Sequence, residues 1–348
     1  MSSSPILLSI VVVSRNDDHG GNLIYRMQLF VTGLLEQARR HNLNSELVIV
    51  EWNPPPDRPR LAQALEWPKK AGPCAVRIIE VPPEIHRRFK HSDGLPLFQM
   101  IGKNVGIRRA LGRFVLATNI DILFSDEIVR FFASGQLMTG HMYRVDRYDV
   151  PSDIPDGVSI DEQLVYCRQN ILRINTRGGT RILKNGDSVA KPLRRQLFFL
   201  AYRTKQWLRH EERALHTNAC GDFTLMAREH WSAVRGYAEF EMYSLYLDGL
   251  LCYAAHCAGA REMILRNPMR IYHIEHSAGS GWSPGIGGEL MNKRLSAAGI
   301  PQLNPDQYYA WERQMRRQRQ PITFNEGERW GLANESLPEI VITEGTGK

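Results

Sequence analysis

An aspartate directly after an apolar strand is the residue whose position first suggests chemistry. Residues 114–117 form an apolar run, and the polar residues 118–121 follow at once, ending in Asp121. In open α/β sheets, ligands bind at the carboxyl ends of the strands. Asp121 is therefore a candidate ligand-binding residue, and the alternative is that it only caps the turn that follows.

The elements that would position Asp121 alternate between apolar runs and helical patterns. This alternation predicts an α/β fold with a parallel or mixed sheet. The predicted strands are 6–13, 47–50, 76–81 and 114–117, with a polar glycine loop at 14–22 and helices from Leu23 to Leu35 and over 103–111.

The second half of the sequence is less regular. Residues 141–190 predict irregular loops and short antiparallel strands beside the main sheet, and 191–215 predict a basic amphipathic helix. A strand, a short helix and a turn are expected over 221–240. A helix over 248–257 and a strand over 270–276 follow, and the next segment, 277–288, reads as a glycine- and serine-rich loop. The chain is helical from 289, and its final dozen residues are expected to be disordered.

Composition limits the function classes. The 348 residues are 43% hydrophobic, without an apolar run long enough to cross a bilayer or a signal-peptide pattern. Five scattered cysteines, with no C-x-x-C pair, indicate a reducing compartment, so a cytoplasmic location is predicted.

The net charge of +7 is concentrated in two basic clusters, at 191–210 and 313–319. Each cluster could be a solvated helix face. Together they would also suit an anionic partner, such as a nucleotide sugar, a polyanionic acceptor or a phospholipid surface. No nucleic-acid-binding signature accompanies them, so nucleic acid is not predicted as a partner.

The order of motifs along residues 6–276 resembles that of GT-A glycosyltransferases, which use nucleotide sugars. The similarity is greatest to the family 2 group, and residues 48–53 are also similar to exostosin-type enzymes. The resemblance implies a GT-A Rossmann-like mixed sheet flanked by helices. It implies a domain over 1–280, with a nucleotide-sugar half (1–125) and an acceptor half (126–280), followed by a helical extension over 281–348. The motifs that carry it are K-N-x-G-x-x-x-A-x-G from Lys103, the strand ending at Asp121, G-D-F-x-L from Gly221, G-Y at Gly236, and the strand that contains His273.

The resemblance also implies a divalent cation, Mn²⁺ or Mg²⁺. Family members bind it through a D-x-D motif, and the matching residues here are Asn119 and Asp121. Asp121 matches the carboxylate that contacts the metal, whereas Asn119 would bond a ribose hydroxyl or a metal-bound water. His273 matches a histidine that the family supplies from its last strand, and His276 is the alternate ligand.

Asp248 matches the family's catalytic base, with Leu247 in place of the usual Glu. An inverting transfer needs such a carboxylate to take the proton of the acceptor hydroxyl. Asp222 is the second candidate, which would orient the acceptor or contact the donor sugar. The alternative for Asp248 is a structural role, since helix N-termini favour acidic side chains.

Several residues match positions that contact the nucleotide. Glu51 would lie near the base or ribose, and Asn104 would read the base. The cations Arg15, Lys103 and Arg108 would bind the diphosphate, because guanidinium and ammonium groups match phosphate oxygens. The alternative for Lys103 and Arg108 is an exposed helix face.

The sequence thus predicts a metal-assisted, inverting transferase that moves a sugar, most simply from a UDP-sugar, to a glycan of a polysaccharide or to a small hydroxyl acceptor. The exostosin-like stretch leaves a retaining mechanism open, and contact of 191–210 with a membrane is an alternative partner prediction. Two other functions remain open. One is a sugar nucleotidyltransferase, although no glycine-rich phosphate loop is present. The other is a non-catalytic carbohydrate- or polyanion-binding protein on the same scaffold.

Overall fold

A computed structural model describes residues 5–70, 72–183, 214–276 and 287–343. Most of the predicted basic helix at 191–215 lies outside these residues, as does most of the predicted glycine loop after His276. Within the described part of the chain, none of the helices is both long enough and apolar enough to cross a membrane.

The described residues form two sheets. The larger has eight strands in the order β11-β6-β10-β4-β1-β2-β3-β13, and the smaller has five in the order β5-β12-β7-β8-β9. The strands are β1 (Leu8–Ser14), β2 (Ser45–Trp52), β3 (Cys74–Val81), β4 (Phe114–Thr118), β5 (Ile122–Phe124), β6 (His141–Val145), β7 (Arg147–Val150), β8 (Arg173–Thr176), β9 (Gly179–Ile182), β10 (Phe223–Ala227), β11 (Arg261–Leu265), β12 (Ile271–Ile274) and β13 (Glu339–Ile342).

The larger sheet is mixed. Strands β3, β2, β1 and β4 run parallel, whereas β10 is antiparallel to both β4 and β6. Only residues 119–121 separate β4, in the larger sheet, from β5, in the smaller one. Asp121 therefore lies where the chain passes from one sheet to the other.

Helices cover both faces of the larger sheet, because its central strands are apolar on both faces. Val11 of β1 belongs to the core on one face, whereas Ile10 and Val12 belong to the core on the other. The helices are α1 (Leu23–Arg40), α2 (Leu61–Ala64), α3 (Pro83–His86), α4 (Gln99–Arg108), α5 (Asp126–Ala133), α6 (Ile160–Gln169), α7 (Arg228–Val234), α8 (Leu247–Cys257), α9 (Gly287–Ala297) and α10 (Pro305–Gln318).

Helix α4 packs unusually close to β1 because it carries two glycines on the buried side. A Cβ atom on Gly106 would lie 2.5 Å from Cγ1 of Val11, and one on Gly102 would lie 2.5 Å from Cγ2 of Val13. The predicted helix began at Lys103, and α4 begins four residues earlier, at Gln99.

The predicted fold class, a mixed sheet flanked by helices, is confirmed. Two elements differ from the sequence-based expectation. Helix α6 occupies a segment expected to be irregular, and its N-terminus has a capping box between Ser159 and Glu162. The expectation of disorder was wrong for Glu339–Ile342, which pairs with β3 as an edge strand that is also held by an ion pair of 2.7 Å between Arg77 and Glu339.

Candidate active site

Three side chains that could bind a cation meet at the junction of the two sheets. Asp121 follows β4, His273 lies on β12, and His276 follows that strand by two residues. Oδ2 of Asp121 lies 3.8 Å from Nε2 of His273 and 3.6 Å from Nε2 of His276. One ligand atom from each lies within 4.8 Å of the others.

These residues fit a divalent cation. Two neighbouring ligand atoms on one octahedral ion are about 3 Å apart when each metal–ligand bond is about 2.1 Å. The observed separations of 3.8 and 3.6 Å are less than 1 Å longer, so small side-chain movements would bring the atoms to that distance. Asp121 is 8% exposed, and its Oδ1 atom has no hydrogen-bond partner among the described residues. A buried carboxylate oxygen without a partner is costly, so it indicates a ligand.

The loop after β1 is shaped around His276. Gly20 has a φ of +74°, and a Cβ atom there would lie 2.6 Å from Nδ1 of His276. Burial lowers the pKa of His276, against the opposing effect of Asp121. His276 is consequently neutral at pH 7, which is the form of imidazole that binds a cation.

His273 has a carboxylate on its other side. Its Nδ1 atom lies 3.2 Å from Oδ1 of Asp149, which is fully buried. Burial and Arg147 lower the pKa of His273, but Asp121 and Asp149 outweigh them and the net shift is upward.

Arg26 of α1 is a member of the site that the sequence did not predict. Its Nε atom lies 4.0 Å from Oδ2 of Asp121, and its terminal nitrogens donate to the carbonyls of His19 and Gly21. Arg26 is 2% exposed although it carries a charge. One feature of the sequence could have indicated it. Arg26 lies next to Met27 on the buried face of an amphipathic helix, where a charged side chain needs a partner.

Asn119 faces a carboxylate. Its Nδ2 atom donates to Oδ1 of Asp222, and its Oδ1 atom accepts from Nε2 of Gln99 at 3.1 Å. The second oxygen of Asp222 accepts from Arg147. Burial raises the pKa of Asp222, but Arg147, His273 and Lys103 together outweigh burial and the net shift is downward. Asp222 is thus an ionised acid directly before β10, the strand that pairs with β4.

Asp248, near the start of α8, is held by backbone amides. Its Oδ2 atom accepts from N of Gly221 at 2.8 Å, and its Oδ1 atom accepts from N of Gly249 at 2.9 Å. Nζ of Lys103 donates to the carbonyl of the same Gly221 at 2.6 Å. Lys103 is fully buried, which lowers its pKa to about 8. Lys103 therefore supports the peptide that holds Asp248.

Arg15 and Glu51 lie at the carboxyl ends of the neighbouring strands β1 and β2. Arg15 donates to the carbonyl of Pro96 at 3.1 Å and pairs with Asp17. Glu51 accepts from N of Leu61 at 2.9 Å, and burial raises its pKa to about 7. Their nucleotide-binding roles stay predictions.

Asn104 and Arg108 are bonded elsewhere. Asn104 is fully buried and bonds both main-chain polar groups of Tyr237 and the carboxylate of Glu239. Arg108 pairs with Glu328 at 2.9 Å. In the described residues no recorded bond joins either side chain to Asp121, so their predicted nucleotide contacts also stay predictions.

No family model and no curated protein matches the sequence. Among solved structures, the chain is similar to GalNAc-T7 with UDP, GalNAc and Mn²⁺, at 12% identity and a TM-score of 0.43, covering 95% of this chain and 54% of that one, or about half its length. It is also similar to the catalytic domain of Drosophila β1,4-galactosyltransferase 7 in complex with xylobiose, at 10% identity and a TM-score of 0.35, covering 83% and 80% of the two chains. A third is residues 1–349 of S. aureus TarS, at 13% identity and a TM-score of 0.39, covering 87% and 68%. The likeness is one of fold, and TM-scores below 0.5 support no conclusion about function.

Proposed function

We propose that the protein is a GT-A-type glycosyltransferase that moves a sugar from a nucleotide-sugar donor to a hydroxyl acceptor. One observation carries the proposal. The candidate cation ligands Asp121, His273 and His276 meet next to the carboxyl end of β4. This is the edge of an open α/β sheet at which ligands bind. Asn119, two residues before Asp121, donates to Asp222, and Gly221, the residue before Asp222, donates to Asp248.

The bound cation would supply a positive charge that neutralises the departing diphosphate. A carboxylate with two imidazoles favours a first-row dication such as Mn²⁺ over Mg²⁺, which prefers oxygen ligands alone. The same donor set binds Fe²⁺ in oxygenases, so the metal must be tested directly.

Asp248 is the proposed base. As the acceptor oxygen forms its bond to the anomeric carbon, the bond from that carbon to the donor phosphate breaks, and the hydroxyl proton passes to the carboxylate of Asp248. The amides of Gly221 and Gly249 fix the carboxylate in position, while its partial exposure leaves it open to an acceptor. A single displacement of this kind inverts the anomeric centre.

Arg15 and Glu51 are the proposed nucleotide contacts, with UDP as the proposed nucleotide. Their places at the ends of β1 and β2 support this assignment, since β1 pairs with β4 and β2 pairs with β1, and parallel strands end at the same edge of a sheet. We assign Lys103 to positioning Asp248 through Gly221, because its ammonium group is buried and bonded there. The bonds of Asn104 and Arg108 support structural roles.

The test is release of nucleotide from a panel of nucleotide sugars, each with Mn²⁺, Mg²⁺ or Fe²⁺. We expect turnover of at least one donor with Mn²⁺. The rate of nucleotide release should fall at least 100-fold in Asp121→Asn. It should be unchanged in Asp161→Asn, which alters an exposed acid on α6. Sugar binding without turnover of any donor would instead indicate a binding protein. Formation of a nucleotide sugar from a nucleoside triphosphate would indicate a nucleotidyltransferase.

A further inference from the structure

We infer that Asp149 is a positioning residue for the cation, which acts by fixing the proton of His273 on Nδ1 so that Nε2 is free to bind. This inference rests on the proposed cation site. The two residues are direct neighbours in the parallel pairing of β12 with β7, so the sheet itself holds them side by side.

The two nitrogens of His273 face different groups. Nδ1 lies 3.2 Å from Oδ1 of Asp149, and Nε2 lies 3.8 Å from Oδ2 of Asp121. An ionised carboxylate only accepts hydrogen bonds, and a neutral imidazole has one N–H. With that N–H on Nδ1, the lone pair of Nε2 is directed to the side on which Asp121 and His276 lie.

Asp149 is itself held rigidly. Arg147 pairs with its Oδ1 atom at 2.9 Å, and both Arg173 and Asn175 donate to its Oδ2 atom at 2.8 Å. Three donors thus surround the carboxylate of Asp149, and an ionised carboxylate only accepts hydrogen bonds, so all three contacts hold it in place. Asp149 is therefore a fixed acceptor whose position does not depend on a bound cation.

The chain offers a matched control. His216 and Asp146 form a second histidine–aspartate pair, in which His216 is buried and Asp146 is partly exposed, with Nε2 of His216 3.1 Å from Oδ1 of Asp146. In the part of the chain that the structure describes, neither belongs to the cation ligands. Removing the carboxylate of Asp146 shows how much the loss of a histidine–aspartate contact away from the cation ligands changes the affinity for Mn²⁺.

The first experiment titrates the wild type, Asp149→Asn and Asp146→Asn with Mn²⁺ and uses electron paramagnetic resonance to measure the dissociation constant for the ion. Mutation of a carboxylate that orients a metal-binding histidine typically lowers metal affinity about 10- to 100-fold. We expect a loss of about that size in Asp149→Asn and less than a twofold change in Asp146→Asn. An unchanged affinity in a folded Asp149→Asn variant would overturn the inference.

The second experiment does not depend on any variant. Long-range ¹H–¹⁵N correlation spectra of the metal-free wild type, recorded at a pH at which the ¹⁵N shifts themselves show a neutral ring, report which nitrogen of His273 carries the proton. We expect Nδ1, and a proton on Nε2 would overturn the inference. A wild type that binds no divalent cation overturns this inference and the cation site together. Mn²⁺ binding without turnover of any donor overturns the glycosyltransferase function alone.

Discussion

Asn119 illustrates how one neighbour decides which side chain a position tolerates. A second carboxylate at this position would face the ionised Asp222 at hydrogen-bond distance. We expect Asn119→Asp to lower the free energy of unfolding by about 2 kcal/mol, because a buried acceptor would lose its donor and meet a like charge. Urea unfolding at pH 7 measures the change.

The exchange variant Asn119→Asp/Asp222→Asn is the control. It restores one donor and one acceptor, so most of the lost stability should return, less the part that Arg147 contributes through Asp222. A double variant no more stable than Asn119→Asp would show that the pair does not interact as described.

Asp248 is expected to matter for turnover and not for donor binding. Asp248→Asn keeps the size of the side chain but cannot take a proton, so kcat should fall 10²- to 10⁴-fold. The dissociation constant of the donor, measured by calorimetry with Mn²⁺, should stay within about threefold. A kcat near that of the wild type would remove Asp248 from the mechanism.

Glu51 should make stability depend on pH. Its pKa is about 7 in the folded chain, against an ordinary value of 4.5. The unfolded chain therefore loses this proton first, so the contribution of Glu51 to stability declines as pH rises from about 4.5 to 7, and stays low above that. The decline amounts to roughly 3 kcal/mol by linkage.

Glu51→Gln removes this ionisation. The variant should gain stability relative to the wild type as pH rises from 5 to 8, measured by urea unfolding at each pH. Glu66→Gln, on an exposed residue, should show no such trend. A constant difference between Glu51→Gln and the wild type across this range would contradict the raised pKa.

The sequence predicts that Asp121 and His273 share a site because both are placed by strands, and their side chains lie 3.8 Å apart in the structure. Their role as cation ligands stays a prediction. The site was not predictable where partners come from distant parts of the chain. Asp149 lies 124 residues before His273 and is beside it only because β7 and β12 pair, and no local pattern encodes that pairing. Arg26 was likewise hidden in an otherwise ordinary amphipathic helix.

At the scale of elements, the distance between α4 and β1 is set by glycine. Gly106→Ala should lower the free energy of unfolding by about 2 kcal/mol, because the new Cβ would overlap Val11 and force the helix away. Gly140→Ala is the control, since a Cβ there meets no atom within 4 Å. Equal stability of the two variants would show that α4 has room to move.

Elements were predictable to the extent that their patterns are local. The central strands are apolar on both faces, and α1 and α8 show helical spacing, so their predicted starts lie within about two residues of the observed ones, although α1 continues from Leu35 to Arg40. Helix α6 begins with a capping box, but the prolines and glycines on either side of it favour loops, so the sequence pattern does not predict a helix there. Strand β13 gains its order from β3, which lies more than 250 residues earlier.

At the scale of the whole molecule, the two ends of the sequence share one sheet. Removal of residues 339–348 takes away β13 and Glu339, one of the two carboxylates that pair with Arg77, leaving β3 as an open edge. We expect Tm to fall by several degrees and aggregation on heating to increase, because unpaired edges recruit other chains. Differential scanning calorimetry and light scattering measure both effects.

Val341→Ser is the control for this truncation. Its side chain is 51% exposed, and the substitution keeps the backbone pairing with β3. Tm should therefore change little. A truncated chain as stable as the wild type would show that β13 adds nothing to the sheet.

The crossing of the chain between its two sheets at Asp121 has a mechanical consequence. A cation bound there would cross-link the two sheets, since one ligand comes from the end of a strand in the large sheet and another from a strand in the small one. Any sliding of one sheet against the other would pull the ligands apart. Cation binding would then make relative movement of the two sheets more difficult. A partner that displaced one sheet against the other would lower the affinity for the cation without contacting the site.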